Sequence, residues 1–260
     1  MSMLKYVQNT DMETIGVLQL MDDLEQAKAV TGAKERLLML HIEEMNGLYE
    51  VLHRQVKDLT DANRKSKELF MASMESLART LEAKDVYTKG HSVRVAEHTV
   101  LLADEIGLDP VTVSRLRMAA SLHDIGKIGI SEKVLNKPQK LTPLEYEIIK
   151  RHPIIAEEIL QPLEPAADLL PWIRHHHERF DGLGYPDRCA GYDIPIGARI
   201  IAITDSFDAM TSDRSYRKGL PLDTALAEIE KGAGTQFDPD LVEAWLYLYR
   251  KGRHKRPKIS

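Results

Sequence analysis

The sequence predicts an all-α fold, a helical bundle preceded by one long N-terminal helix that has the pattern of a coiled coil. Two observations carry that reading. From Leu38 to Leu77 the apolar residues keep a heptad, with Ile42, Tyr49, Val56, Phe70 and Leu77 at one core position and Leu38, Met45, Leu52 and Leu59 at the other. After Leu81 every clear signal is helical and no strand-like alternation occurs, which leaves a bundle as the architecture.

The chain divides on this reading into a short N-terminal segment (1–30), the long amphipathic helix (31–80), the helical bundle (81–250) and a basic tail (251–260). In the first segment Thr14 to Leu20 (TIGVLQL) is rich in β-branched residues and bounded by polar ones, so it predicts a strand. It resembles the closing strand of a small-ligand sensor domain of the GAF type, which would make the segment a sensor remnant. The unbroken seam from Leu38 to Leu59 predicts a parallel homodimer, with packing onto the chain's own bundle as the alternative. Asn63 lies on that seam, where a polar residue costs stability but fixes register.

Within the bundle, Val93 to Ile106 is apolar at helical spacing and stops at Gly107, and Val111 to Leu122 starts after Pro110. Thr142 to Glu145 (TPLE) is a capping box with proline at the first helical position. Asp238 and Pro239 repeat that arrangement before Leu241 to Tyr249.

Composition narrows the function. A net charge of -5 argues against general nucleic-acid affinity, and the six basic residues among the nine from Arg250 to Lys258 read as a solvated terminus. No apolar run reaches the roughly 18 residues of a membrane span, and no signal peptide is visible, so a cytoplasmic location is expected. Cys189 is the only cysteine. Metal chemistry must therefore use imidazole and carboxylate.

Seven of the ten histidines lie between His91 and His177. His123 and Asp124 emerge from the apolar stretch Met118 to Leu122, and Asp205 sits among Ile200, Ile201, Ile203 and Phe207. A buried carboxylate without a partner costs several kcal/mol, which metal coordination would offset. Pairing of Asp205 with Arg199 is the alternative. His91, His152 and the adjacent His176 and His177 complete a set of five imidazoles and two carboxylates, too many for one ion and suited to two. Such ligands suit iron, manganese or zinc rather than calcium or magnesium; iron or manganese is the expected pair of choices, with zinc, nickel or cobalt as alternatives.

The order of the motifs is more specific than any one of them. The strings from Asp85 (DVYTKGHSVRV), His123 (HDIGKIGI), Lys137 (KPQKLT), His152 with Pro153, His176 (HHERFDGLGYP) and Ala198 (ARIIAITDSFDAMTSDRSYR) together resemble the HD-GYP family of phosphohydrolases, from about residue 70 to 245. The resemblance implies an HD-type bundle. It implies that His91, His123, Asp124 and Asp205 hold one metal and His152, His176 and His177 the other, with Asp124 bridging. It further implies hydrolysis of cyclic di-GMP to linear pGpG, and in some members on to GMP, with no stable nucleic-acid binding. Lys127, Arg214 and Arg217 would face the substrate phosphates, Tyr185 would stack on a guanine, and Asp85 would orient water or protonate the leaving oxygen. Tyr87 stands where some members carry a glutamate for a third ion, so two are expected. Asp208, one turn after Asp205, is a candidate acceptor for a ligand histidine, as is Glu178, whereas His98 and His175 read as structural. Another cyclic dinucleotide as substrate, or a catalytically silent nucleotide-binding module, are the competing readings.

Overall fold

The computed structural model describes residues 3–84, 90–213 and 218–250, with side chains from residue 16 onward apart from 75, 79 and 81–84. Asp85, Tyr87, Arg214, Arg217 and the tail 251–260 lie outside the described residues. The chain forms two units, Met1–Lys67 and Glu68–Ser260.

The helix α1 spans Met3–Lys84. It includes Thr14 to Leu20, so the expected strand is a helix instead. The reason is backbone accounting: a lone strand leaves its N–H and C=O groups unpaired, whereas a helix satisfies them within the segment. Among the described residues there is no strand, and only an isolated bridge joins Ala233 and Phe237. The heptad residues Leu38, Ile42, Met45, Tyr49, Leu52, Val56 and Leu59 are all exposed along α1. Among the described residues no helix is long and apolar enough to cross a membrane.

The second unit holds the bundle: α2 (His91–Glu105), α3 (Pro110–Leu122), α4 (Glu132–Leu135), α5 (Pro143–Ile149), α6 (His152–Leu160), α7 (Leu170–Arg174), α8 (Ile196–Thr211), α9 (Leu222–Lys231) and α10 (Pro239–Arg250). A short 3-10 turn, Ile125–Gly129, follows α3. The capping box at Thr142 and the stop at Gly107 are used as read from the sequence, whereas the cap of α3 comes from Asp109, which was not singled out from the sequence. The Asp109 carboxylate accepts from the Val111 and Thr112 N–H groups at the start of α3. Thr142 and Glu145 make both halves of the capping box that opens α5. Gly107 takes φ +76 after α2, where its N–H reaches the Asp104 carbonyl at 3.1 Å.

Helix α8 is the axis of the bundle, because its apolar residues point both ways. Ile200, Ile203 and Phe207 join Leu102, Leu116, Trp245 and Tyr249 in one cluster. Ile201 joins Val95, Ala119, Ala120, Leu122, Ala156 and Ile173 in another, with Met74 and Ala78 of α1 packed alongside. Each fully buried leucine or isoleucine contributes about 2 kcal/mol, enough in sum to fix where the helix ends point. The alanines of the second cluster let helices approach closely where the candidate ligands converge.

Candidate metal centre

The bundle brings together seven side chains scattered over more than a hundred positions. His91 opens α2 directly after Gly90, which takes φ +70. His123 caps the C-terminus of α3 and Asp124 follows it. His152 opens α6, His176 and His177 follow α7, and Asp205 sits within α8.

The local geometry fixes which nitrogen of each ring faces inward. The Nδ1 atoms of His123, His152 and His176 lie 2.7, 2.8 and 2.6 Å from the carbonyls of Ala120, Ile149 and Ile173, each three residues earlier. A carbonyl only accepts, so each Nδ1 carries the proton and each Nε2 presents a lone pair. His91 is held the same way, its Nδ1 donating to Asp208 Oδ2 at 2.7 Å.

These lone pairs converge. His152 Nε2 lies 3.3 Å from His176 Nε2, so two acceptors face each other with no proton between them. His123 Nε2 is buried with no hydrogen-bond partner among the described residues. Asp124 divides its two oxygens, Oδ1 lying 3.4 Å from His152 Nε2 and Oδ2 3.5 Å from His123 Nε2 and 3.9 Å from His91 Nε2. Asp205 Oδ1 lies 3.2 Å from His91 Nε2. Three groups have ligand atoms all within 4.8 Å of one another: His91, His123 and Asp205; His123, Asp124 and His176; and His152, His176 and His177. Facing lone pairs and an orphaned buried nitrogen fit cations placed between them, so the donor set suits divalent metal.

Burial pulls the imidazoles down: His152 to about 3 and His177 to about 4, with His176 also held well below its ordinary range, the charges of neighbouring histidines adding to the effect at His152 and His176. All three are neutral at physiological pH, the form that ligates. Burial also acts against charge on His91, but its bonds to Asp205 and Asp208 prevail and raise it to about 9. Burial would push Asp124 and Asp205 up as well. The charges of Lys127 and the histidines overcome it at Asp124, and the bond from His91 with the neighbouring imidazoles does so at Asp205, so both stay ionised.

Around this centre the structure sorts the remaining expectations. Arg199 pairs with Asp238 and bonds the Ile194 carbonyl, so the alternative partner proposed for Asp205 is committed elsewhere. Asp208 accepts from His91 and is also gripped by Arg94, Nε to Oδ1 at 2.5 Å and Nη2 to Oδ2 at 2.9 Å. Arg94 was not singled out from the sequence, although it lies one turn after His91 on the same helix face. Lys127 donates to Asp124 Oδ2 at 2.6 Å. Tyr185 lies against His177, ring centroids 4.9 Å apart and 31° inclined, so part of its ring covers an imidazole of the centre.

Glu178 does something other than expected. Its Oε1 accepts the N–H groups of Asp187 and Arg188 at 2.6 and 2.9 Å, so it anchors the turn bearing Tyr185 rather than a histidine. The Asp187 carboxylate is clamped by Arg174, at 2.7 and 2.8 Å, and by His175 Nε2 at 3.0 Å. His98 packs edge-on against Phe207 and Trp245, a core position.

Comparison with known proteins identifies the family. The family model described as HD domain matches residues 32–241. A cyclic di-GMP phosphodiesterase of Thermotoga maritima is 43% identical over 180 residues, covering 68% of this chain and 49% of the relative. The 3'3'-cGAMP-specific phosphodiesterase 3 of Vibrio cholerae is 40% identical over 169 residues, covering 65% of this chain and 37% of its own length. The cyclic di-GMP phosphodiesterase response regulator RpfG of Xanthomonas campestris is 42% identical over 177 residues, 67% of this chain and 47% of that protein. The chain thus spans about half or less of these curated relatives. The crystal structure of a cyclic GMP-AMP-specific phosphodiesterase of Vibrio cholerae shares the fold, with a TM-score of 0.53 at 21% identity over 70% of this chain and 49% of the other. The chain belongs to the HD domain family, and the run of motifs from His91 to the Gly-Tyr-Pro turn at Tyr185 sets it among the HD-GYP members.

Proposed function

We propose that the chain is a metal-dependent phosphodiesterase acting on cyclic di-GMP, yielding linear pGpG and, on further hydrolysis, GMP. The observation that carries this is Asp124, whose two oxygens face separate histidine groups across one buried centre. The curated relatives named as cyclic di-GMP phosphodiesterases supply the substrate class. His91, His123, Asp124 and Asp205 would hold one ion, and His152, His176 and His177 a second that shares Asp124. Iron or manganese suits this imidazole and carboxylate set best. When bound, two such ions supply an acidified water and a positive clamp for phosphoryl oxygens.

The protein's own groups do the rest. Asp208 and Arg94 orient His91, and the backbone carbonyls of Ala120, Ile149 and Ile173 orient three further rings. Lys127 stands beside Asp124 as a cation for phosphoryl charge. Arg214 and Arg217 are proposed to add to it and Asp85 to handle the leaving oxygen, while Tyr185 contacts a base. With Tyr87 in place of glutamate, two ions per chain are proposed rather than three.

A second substrate, 3'3'-cGAMP, is favoured by the 40% identity to a relative named for it. Protein loaded anaerobically with iron or manganese and given a panel of cyclic dinucleotides should turn over cyclic di-GMP fastest. Equal turnover of all would overturn the substrate assignment, and none would overturn the enzyme reading. The exposed heptad of α1 supports a homodimer through that helix. A strictly monomeric species by sedimentation at micromolar concentration would exclude it.

A further inference from the structure

Lys150 caps the C-terminus of α5, two residues before His152. Its ammonium lies over the Tyr146 ring, 5.0 Å from the centroid, and over the Tyr185 ring at 5.7 Å. Tyr185 in turn rests 4.9 Å from His177. One aromatic ring therefore separates this cation from the candidate centre. Its carboxylate neighbour, Glu147 at 2.6 Å, has a side chain 64% exposed, and such a pair is weakened by water and salt. Aromatic faces hold an ammonium without neutralising it, because they offer a quadrupole and no net charge. Lys127 is differently placed, since its ammonium is engaged with Asp124 inside the centre.

We infer that Lys150, framed by Tyr146 and Tyr185, forms a subsite for a second phosphate, that of the phosphodiester which is not being cleaved. The inference rests on the cyclic dinucleotide reading above. Such a substrate carries two phosphodiesters in one ring, so a centre that engages one must meet the other within the span of the macrocycle. A lysine ammonium is a compact point charge that suits a phosphate, and the two tyrosines limit where it can swing. The same rings would line the path between the two phosphates with apolar surface.

The test compares cyclic di-GMP with bis(p-nitrophenyl) phosphate, which has a single phosphodiester, on the full chain loaded anaerobically with manganese. In Lys150→Met the KM for cyclic di-GMP should rise about tenfold, the loss expected for one charge-assisted contact. The ratio of kcat/KM between the two substrates should fall by the same factor, and Lys150→Arg should restore most of it. An unaltered ratio in Lys150→Met overturns the subsite, as does an arginine variant that falls as far as the methionine one. Absence of wild-type turnover on cyclic di-GMP would instead defeat the substrate reading, and the subsite with it, before any variant is compared.

Discussion

Gly126 offers the sharpest test of how the fold holds its ligands. It lies in the 3-10 turn just after Asp124, against the first turn of α6. A β-carbon added there would overlap the His152 carbonyl oxygen and come within 2.6 Å of the Ala156 nitrogen and 2.9 Å of the His152 carbonyl carbon. Ordinary contacts begin at 3.4 Å, so α6 would have to withdraw by most of an ångström at Ala156 and by more at His152. The His152 ring is carried on the first residue of α6, its Nδ1 bonded to the Ile149 carbonyl at the end of α5, and would move with the displaced helix. Metal ligands tolerate about 0.2 Å, and misplacement by about 1 Å near a reacting centre costs on the order of a hundredfold in rate. Gly126→Ala should therefore lose about one bound metal per chain and about a hundredfold in turnover, while the overpacking itself costs about 1 to 3 kcal/mol of stability. Metal content after gel filtration, turnover and thermal unfolding measure the three separately. A variant that keeps full metal content and wild-type turnover would refute the claim that this glycine sets the position of His152.

Other perturbations follow from the same contacts. Asp208→Asn removes the charge that His91 and Arg94 share, and should weaken metal binding about 10- to 100-fold in a chelator competition, with unchanged affinity counting against the role. Glu178→Ala leaves the Asp187 and Arg188 N–H groups without their acceptor, at about 1 to 3 kcal/mol, and should lower the melting temperature while raising KM through the displaced Tyr185. In chelated protein, His91 moves from 6.5 to about 9 on folding, so its contribution is full below pH 6.5 and lost as pH rises through about 9. His152 and His177 fall from 6.5 to about 3 and about 4, so their burial as neutral rings costs stability as pH drops below 6.5. Thermal melts of chelated protein should peak near the ordinary histidine value, and a melting temperature that climbs steadily up to pH 9 would contradict the assignment.

What the sequence reveals depends on how local each cause is. The cap at Thr142 and the stop at Gly107 are set by neighbours in sequence, and the structure uses both; the Asp109 cap is equally local but was not singled out from the sequence. Thr14 to Leu20 misled because β-branched residues record a preference that a strand can use only with a partner, and there is no strand among the described residues. The histidines were legible as a set because their order is distinctive, yet nothing in the spacing showed that three of them share one device, an Nδ1 bond to the carbonyl three residues back. That device follows from helix ends, where such carbonyls lack a helical partner. Glu178 was misread for a related reason. Beside His177 it looks like a partner for an imidazole, but the chain turns and brings Asp187 and Arg188 back to it, a return that depends on Gly184, where a side chain would strike Glu178 and Arg179.

Charge balance connects the expected and observed roles of Lys127. The carboxylates Asp124, Asp205 and Asp208 meet Arg94 and Lys127, leaving one negative charge that the raised affinity of His91 for a proton offsets. His91 cannot both hold that proton on Nε2 and ligate, and Lys127 cannot both hold Asp124 Oδ2 and reach a phosphate. Both conflicts have the same resolution. With His91 and Asp124 holding a divalent ion, its charge would replace the counter-charge that the His91 proton and the Lys127 ammonium supply, and Lys127, three residues after Asp124, would be held less tightly to Oδ2. On the function proposed above, Lys127 as a partner of Asp124 and Lys127 as a contact for substrate would be two positions of one side chain, coupled through the charge on Asp124.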